Sequence, residues 1–440
     1  MSCSRRFALA ATVLVASVGA LRAQDLPNLP LPVTDETYRP VDLAEARLGR
    51  DLFYDPILSG GREVACATCH HPAFGTSDGL SLGIGDGGRG VGPSRIADPD
   101  NPPEERVPRN AQALWNLGAH EYTTMFHDGR IEVDAARPGG LRTPIGGDMV
   151  EGFASILSAQ SMFPVVSPDE MAGHYSENDV AQAVRRGMLT GEGGAWEVIS
   201  ARVAAVPAYA EAFRAVYPDR GGEIAFTDIS NALAAFVEYE FRSDTSPFDA
   251  WLRGEGALSA EALAGAELFY GVAGCADCHS GPFQTDHDFH AMGAPQIGTG
   301  KHARFETDHR DEGRAEVTGD PADRYAFRTP SLRNVALTAP YGHAGAHRTL
   351  EGFLASHGRP GVWDRAEAVL PALPVEDWLA LDDPEEGAAI ASASVAGPAL
   401  SEADVAALVA FLGTLTDPVA EAGRLGIPAA VPSGLAVPMP

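Results

Sequence analysis

Two pentapeptides carry the chemistry of this chain: Cys66-Ala67-Thr68-Cys69-His70 and Cys275-Ala276-Asp277-Cys278-His279. C-x-x-C-H is the pattern of covalent c-type haem attachment. Two thiols three residues apart reach the two vinyl groups. The histidine four residues after the first cysteine falls on the same helical side, where its imidazole meets the iron. A redox dithiol and half of a zinc site compete for the same cysteine spacing. A histidine directly follows both pairs, however, and no third cysteine-rich segment exists to complete a zinc shell. The chain therefore reads as carrying two covalently bound haem c groups through Cys66, Cys69, Cys275 and Cys278, with His70 and His279 as proximal iron ligands.

The elements that must position these motifs follow from pattern. Residues 1–23 read as a secretory signal: Arg5 and Arg6, an apolar run over 7–21, then Leu21-Arg22-Ala23 before Gln24. That run is too short to span a bilayer and no later one is longer, so no membrane span is expected. Export places the protein in the periplasm. Of five cysteines, Cys3 lies in the signal and the other four all sit in the haem motifs, which leaves none for a disulfide. The net charge of −28 argues against nucleic acid and anionic membranes, and favours either a positively charged soluble partner or plain solubility.

At 440 residues the chain is long for one core, and two domains are expected. Helical patterns cover residues 43–53, 180–187, 194–206, 209–217 and 230–242, and strand signals are scarce. A helix ending in Leu52-Phe53 precedes the first haem motif, and one ending in Leu268-Phe269 precedes the second, which is a weak internal repeat. Ser401-Glu402-Ala403-Asp404 reads as a helix cap, followed by Val405, Leu408, Val409 and Leu412 at helical spacing. The fold class is mainly α: two cytochrome c-like haem domains packed against each other, with long loops. The divisions are 24–250 for the first haem domain, 255–417 for the second, and 418–440 for a flexible tail. Gly83-Ile84-Gly85-Asp86-Gly87-Gly88 is read as a haem-edge loop, because no strand precedes it and no Lys-Ser/Thr follows.

Further motifs, in order, are Arg109-Asn110, Phe126-His127-Asp128-Gly129-Arg130, and Gln160 with Pro168-Asp169-Glu170-Met171. Thr329-Pro330-Ser331-Leu332-Arg333-Asn334 and Thr338-Ala339-Pro340-Tyr341-Gly342-His343 follow. With the haem motifs, this series over most of 43–415 resembles the bacterial di-haem cytochrome c peroxidases and their MauG-type relatives. The resemblance implies that His70 serves the peroxidatic haem and that Gln160 and Glu170 are its distal amide and acid. By itself Glu170 also reads as an ordinary acid at a helix start. Many family members block this iron with a distal histidine before the Arg-Asn pair. Here no histidine lies between His71 and His120, so the first iron is expected to be open.

The resemblance also places the second iron's opposite ligand fourteen residues beyond His343, at His357, where peroxidases have Met and MauG-type enzymes Tyr; His290, His302 and His347 are rivals. It implies a calcium ion held by Asn110, Thr338 and Pro340, with a turn role for Asn110 as the alternative. His127 stands where the family has an inter-haem Trp, and Trp115 or Tyr122 are other relay candidates. The activity so implied is reduction of hydrogen peroxide with electrons from a small cytochrome c or cupredoxin. The alternative is MauG-type oxidation of Trp or Tyr on a partner protein. A pure electron carrier would need both irons capped. The resemblance allows a homodimer.

Overall fold

The computed structural model describes residues 26–175, 177–298, 309–359 and 363–440. The export signal read over 1–23 and the rival His302 lie outside them. Helices dominate the described residues, and the strands are two or three residues long in small antiparallel sheets. The mainly α class holds.

Five helices frame the haem motifs: α1 (Leu43–Tyr54), α2 (Phe226–Glu240), α3 (Ala260–Phe269), α4 (Leu350–His357) and α5 (Glu402–Gly413). Short polar side chains start several of them by accepting otherwise orphaned N–H groups. Asp42 caps α1, Ser259 caps α3 and Thr349 caps α4. At α5, Ser401 and Asp404 form the reciprocal box read from sequence.

The weak repeat in the sequence becomes a repeated packing. α1 crosses α2, and α3 crosses α5. At each crossing a glycine lets the backbones close up: a Cβ on Gly49 would overlap the carbonyl of Ala232, and one on Gly265 that of Ala407. Phe236 and Phe411 stand one turn later in the same two roles. Phe53 and Phe269, the ends of the two Leu-Phe pairs, pack on them with ring centroids 5.0 and 5.1 Å apart.

Two apolar cores result. The first joins α1, α2 and the helices between them; the second joins α3, α5, Tyr341 and Leu350. Phe248 and Trp251 belong to the second core, so the division expected at 250–255 falls earlier. The segment 418–440, expected to be a loose tail, packs back on the first core through Ala420, Val431, Leu435 and Val437. Buried carboxylates hold it. Glu240 accepts the backbone N–H groups of Arg424, Leu425 and Gly426, and Asp55 accepts from Ser433. Its Ala/Pro composition has no periodicity, and its order comes from these distant acceptors.

Candidate functional site

Cys66–Cys69 forms a single helical turn, closed by the His70 N–H donating to the Cys66 carbonyl at 2.9 Å. The second motif repeats the bond, His279 N–H to Cys275 carbonyl, at 2.9 Å. Each following histidine is oriented the same way. His70 Nδ1 lies 3.0 Å from the Thr76 carbonyl and His279 Nδ1 lies 3.1 Å from that of Gln284. A carbonyl only accepts, so Nδ1 carries the proton and Nε2 keeps the lone pair a metal needs. Burial lowers both imidazoles, His279 to about 4, which keeps them neutral.

The thiols fit haem attachment better than the rival chemistries. Burial pushes Cys66 and Cys69 up to about 12 and Cys275 to about 11. A redox dithiol needs the opposite shift.

Gln160 ends the short helix Ile156–Gln160, capped by Ser155. Its Oε1 is buried and accepts no hydrogen bond from the protein. Glu170 sits in the wide, π-type helical turn Pro168–Ala172. Burial raises its carboxyl above the usual range, while Arg130 and a hydrogen bond from Ser167 pull it down. Glu170 is close enough to Cys69 to help raise that thiol.

The glycine loop covers this turn. Asp86 N–H donates to the Asp169 carbonyl, and a Cβ on Gly85 would collide with the backbone of Asp169 and Glu170. The guanidinium of buried Arg95 holds the loop's shape by donating to the carbonyls of Ile84, Gly85 and Gly90. The loop thus lies on the backbone of Glu170.

The hairpin turn after Thr124–Met125 carries His127, Asp128, Gly129 and Arg130 toward the second half of the chain. Gly129 has φ +70, and a side chain there would strike the Phe289 ring and Arg314. Arg109 ties the halves together. It makes a two-pronged bond to Asp311 at 2.6 and 2.7 Å and an ion pair with Asp128 at 2.8 Å, all three residues buried. Sequence reading missed this triad because Asp311 has no motif of its own. The only hint was that a buried arginine demands carboxylates.

His127 Nε2 donates to the Asn110 carbonyl at 3.1 Å. Burial, reinforced by Arg109, lowers it to about 3, so it is neutral. Beside it His343 stacks on Phe327 at 3.8 Å and takes the Asn110 N–H on its carbonyl. Asn110 Nδ2 donates to the Leu80 and Ser81 carbonyls. Thr338 closes the turn Val335–Leu337 with its N–H on the Val335 carbonyl, and Pro340 follows two residues later. Trp115 lies apart from this cluster in the first core, edge-on to Phe241, with its indole N–H buried and unpartnered.

Near the second motif the candidate ligands adopt two orientations. His357, at the end of α4, donates Nδ1–H to the Phe353 carbonyl at 2.8 Å, the same arrangement as His70 and His279. It is also the imidazole that depresses His279. His290 instead directs Nε2 to Asp286, whereas His347 places Nδ1 on Glu367 and keeps a buried Nε2 without a partner, the same ligand-ready orientation as His357. The set Cys278, Asp286 and His290 lies close enough to hold a metal, but its cysteine is the haem-attaching one.

The donor sets fit two haems: raised thiols, three imidazoles with Nε2 free of carbonyl partners, and a buried amide oxygen with nothing to accept. The profile of the di-haem cytochrome c peroxidase family matches residues 43–257. The chain is 30% identical over 348 residues to cytochrome c551 peroxidase of Nitrosomonas europaea, covering 79% of this chain and 80% of that protein. It is 33% identical over 322 residues to methylamine utilization protein MauG of Methylorubrum extorquens, covering 72% and 69%. A solved MauG-like protein associated with microbial copper homeostasis superposes with a TM-score of 0.59 at 27% identity, covering 90% of this chain and 96% of that one. The diheme peroxidase BthA from Burkholderia thailandensis shares the fold, with a TM-score of 0.53 at 22% identity over 91% and 93%.

Proposed function

Because the chain belongs to the family of di-haem cytochrome c peroxidases and MauG proteins, we propose that Gln160 and Glu170 serve peroxide reduction at an iron held by His70. In the same reading, His279 and His357 hold the iron through which electrons return. The protein is a di-haem oxidoreductase of the peroxidase class. Each c-type haem supplies a redox-active iron when bound.

The protein's own part is proton handling and orientation. Glu170, raised by burial, takes the proton from one peroxide oxygen and delivers it to the leaving oxygen. The Gln160 amide holds the peroxide in line. Overall, peroxide, two electrons and two protons give two waters. The observation that carries the reading is that Glu170 lies directly under a glycine loop that contains no histidine.

The triad Arg109–Asp128–Asp311 holds the two haem domains in register, and a calcium ion on Asn110, Thr338 and Pro340 reinforces that seam. Neutral His127 is hydrogen-bonded into it. Electrons come from a small cytochrome c or cupredoxin, in the periplasm. No described helix is long and apolar enough to cross a membrane. Rapid turnover of peroxide with a reduced small cytochrome c or cupredoxin is the expected result; no turnover with any such donor would contradict it.

One observation favours a second reading. The residue at 357 is not Met, and histidine in its place lowers the iron's potential relative to Met/His ligation. A gentler second iron suits oxidation of Trp or Tyr on a partner protein, as in MauG-type enzymes. An oxidised state that persists until a protein substrate is added would select it.

A further inference from the structure

We propose that Arg328 anchors a propionate carboxylate of the second haem, an inference that rests on haem attachment at Cys275 and Cys278 and not on the peroxide chemistry. Haem c carries propionates, and a guanidinium is the side chain that meets a carboxylate with two parallel N–H bonds.

Arg328 stands out as a buried cation without an anion. Charges taken into a protein interior are paired, because an unpaired one loses its hydration and gains nothing in return. The other buried arginines obey this. Arg109 has Asp128 and Asp311, Arg106 has Asp377, and Arg333 has Asp249 at 2.7 Å, while Arg95 donates to three carbonyls. Arg328 is 8% exposed and has no carboxylate partner among the described residues. It makes two long bonds, from Nε to the Phe126 carbonyl at 3.3 Å and from Nη1 to the Thr329 carbonyl at 3.5 Å. Of a guanidinium's five N–H donors, these leave both on Nη2 unused. The Tyr122 hydroxyl supplies no counter-charge, since burial pushes it up to about 12 and keeps it neutral.

The backbone puts this cation beside the second motif. Arg328 pairs with Phe289 in a short antiparallel ladder, and the next residue, Thr329, donates its N–H to the Asp288 carbonyl at 2.9 Å. The Thr329 carbonyl accepts from the Thr285 hydroxyl at 2.7 Å. Thr285 follows Gln284, whose carbonyl orients His279 at 3.1 Å. From the other side the hairpin turn holds Arg328, with the His127 carbonyl accepting its backbone N–H at 2.7 Å. The guanidinium is thus fixed between the loop that orients the second iron's proximal ligand and the turn on the domain seam. The loop after the first motif makes none of these bonds.

A carboxylate of the second haem meets the demand that the protein leaves open. The pairing has a redox consequence. A guanidinium on the propionate offsets negative charge near the iron, and so holds the second couple higher than a free propionate does.

Resonance Raman spectra excited in the low-spin haem band of the haem-loaded protein record the propionate bending mode, which moves when a hydrogen bond to the propionate is lost. Arg328→Met should shift that band and lower the second couple in a redox titration. Arg328→Lys keeps the charge without the paired N–H geometry, so the band should shift while the couple returns toward its original value. The lysine variant carries the test if Arg328→Met fails to load haem. A band unmoved in every variant that loads haem overturns the anchor. A second couple that follows chloride concentration in the unaltered protein, with the band unmoved by substitution, gives the guanidinium a free anion instead and overturns it too. A chain with no haem at the second motif overturns the premise, and the anchor with it.

Discussion

Replacing Glu170 with glutamine keeps the side chain's size and one oxygen but removes the ability to carry a proton. Nothing nearby restores it. The adjacent Asp169 carboxyl is turned to His174 at 3.3 Å, and Gln160 cannot accept and release a proton at neutral pH. General acid–base catalysis contributes about 10²–10⁴-fold, which converts to roughly 3–5.5 kcal/mol of barrier. The expected effect of Glu170→Gln is a fall of that size in the rate at which peroxide oxidises the reduced protein, read by stopped flow. The two haem spectra should be unchanged at rest.

The same substitution has a stability signature with a defined sign. Burial raises the Glu170 carboxyl above its unfolded value, so the native state holds the proton to higher pH than the unfolded state does. The native protein therefore loses stability as pH rises from the unfolded carboxylate range through the folded one. Glutamine does not titrate, and the variant's advantage in melting temperature should grow over that window. A variant within about threefold of the original rate, well short of the loss an acid–base role requires, would refute the proton-carrying role.

Other substitutions probe the frame around this site. His357→Met should raise the potential of the second iron, measured by redox titration; an unmoved couple would mean that His357 does not ligate it. Arg109→Met leaves Asp128 and Asp311 buried without their shared cation, and stripping a buried pair of one partner costs about 3–5 kcal/mol. Denaturant unfolding should show that loss, and a change below about 1 kcal/mol, within reach of an exposed pair, would place the triad in solvent. Gly265→Ala drives a Cβ into the Ala407 backbone. Overpacking of this kind costs about 1–3 kcal/mol or more, and Gly49→Ala should match it at the sister crossing. An unchanged melting temperature in either would show that the helices can separate freely.

Local chemistry was readable in the sequence and distant chemistry was not. C-x-x-C-H declares itself because thioether formation and iron ligation fix three residue types at fixed spacing. The Leu52-Phe53 and Leu268-Phe269 repeat announced paired helices, but not the crossing glycines Gly49 and Gly265, whose partners lie well over a hundred residues away. Asp311 carries no pattern, since a carboxylate acquires its role only from what the fold brings to it. The segment 418–440 misled for the same reason: its anchors, Asp55 and Glu240, lie far back in the chain. His357 was placed by its distance from His343, and the orientation of Nδ1 does not by itself set it apart from His347, which also keeps Nε2 free.

The central claim is unequal ligation: one iron on His70 with its other face left to Gln160 and Glu170, the second iron between His279 and His357. Electron paramagnetic resonance of the oxidised, haem-loaded protein reports the two centres separately. The account requires one high-spin signal and one low-spin bis-histidine signal of equal weight. Two low-spin signals, or two high-spin ones, would contradict it.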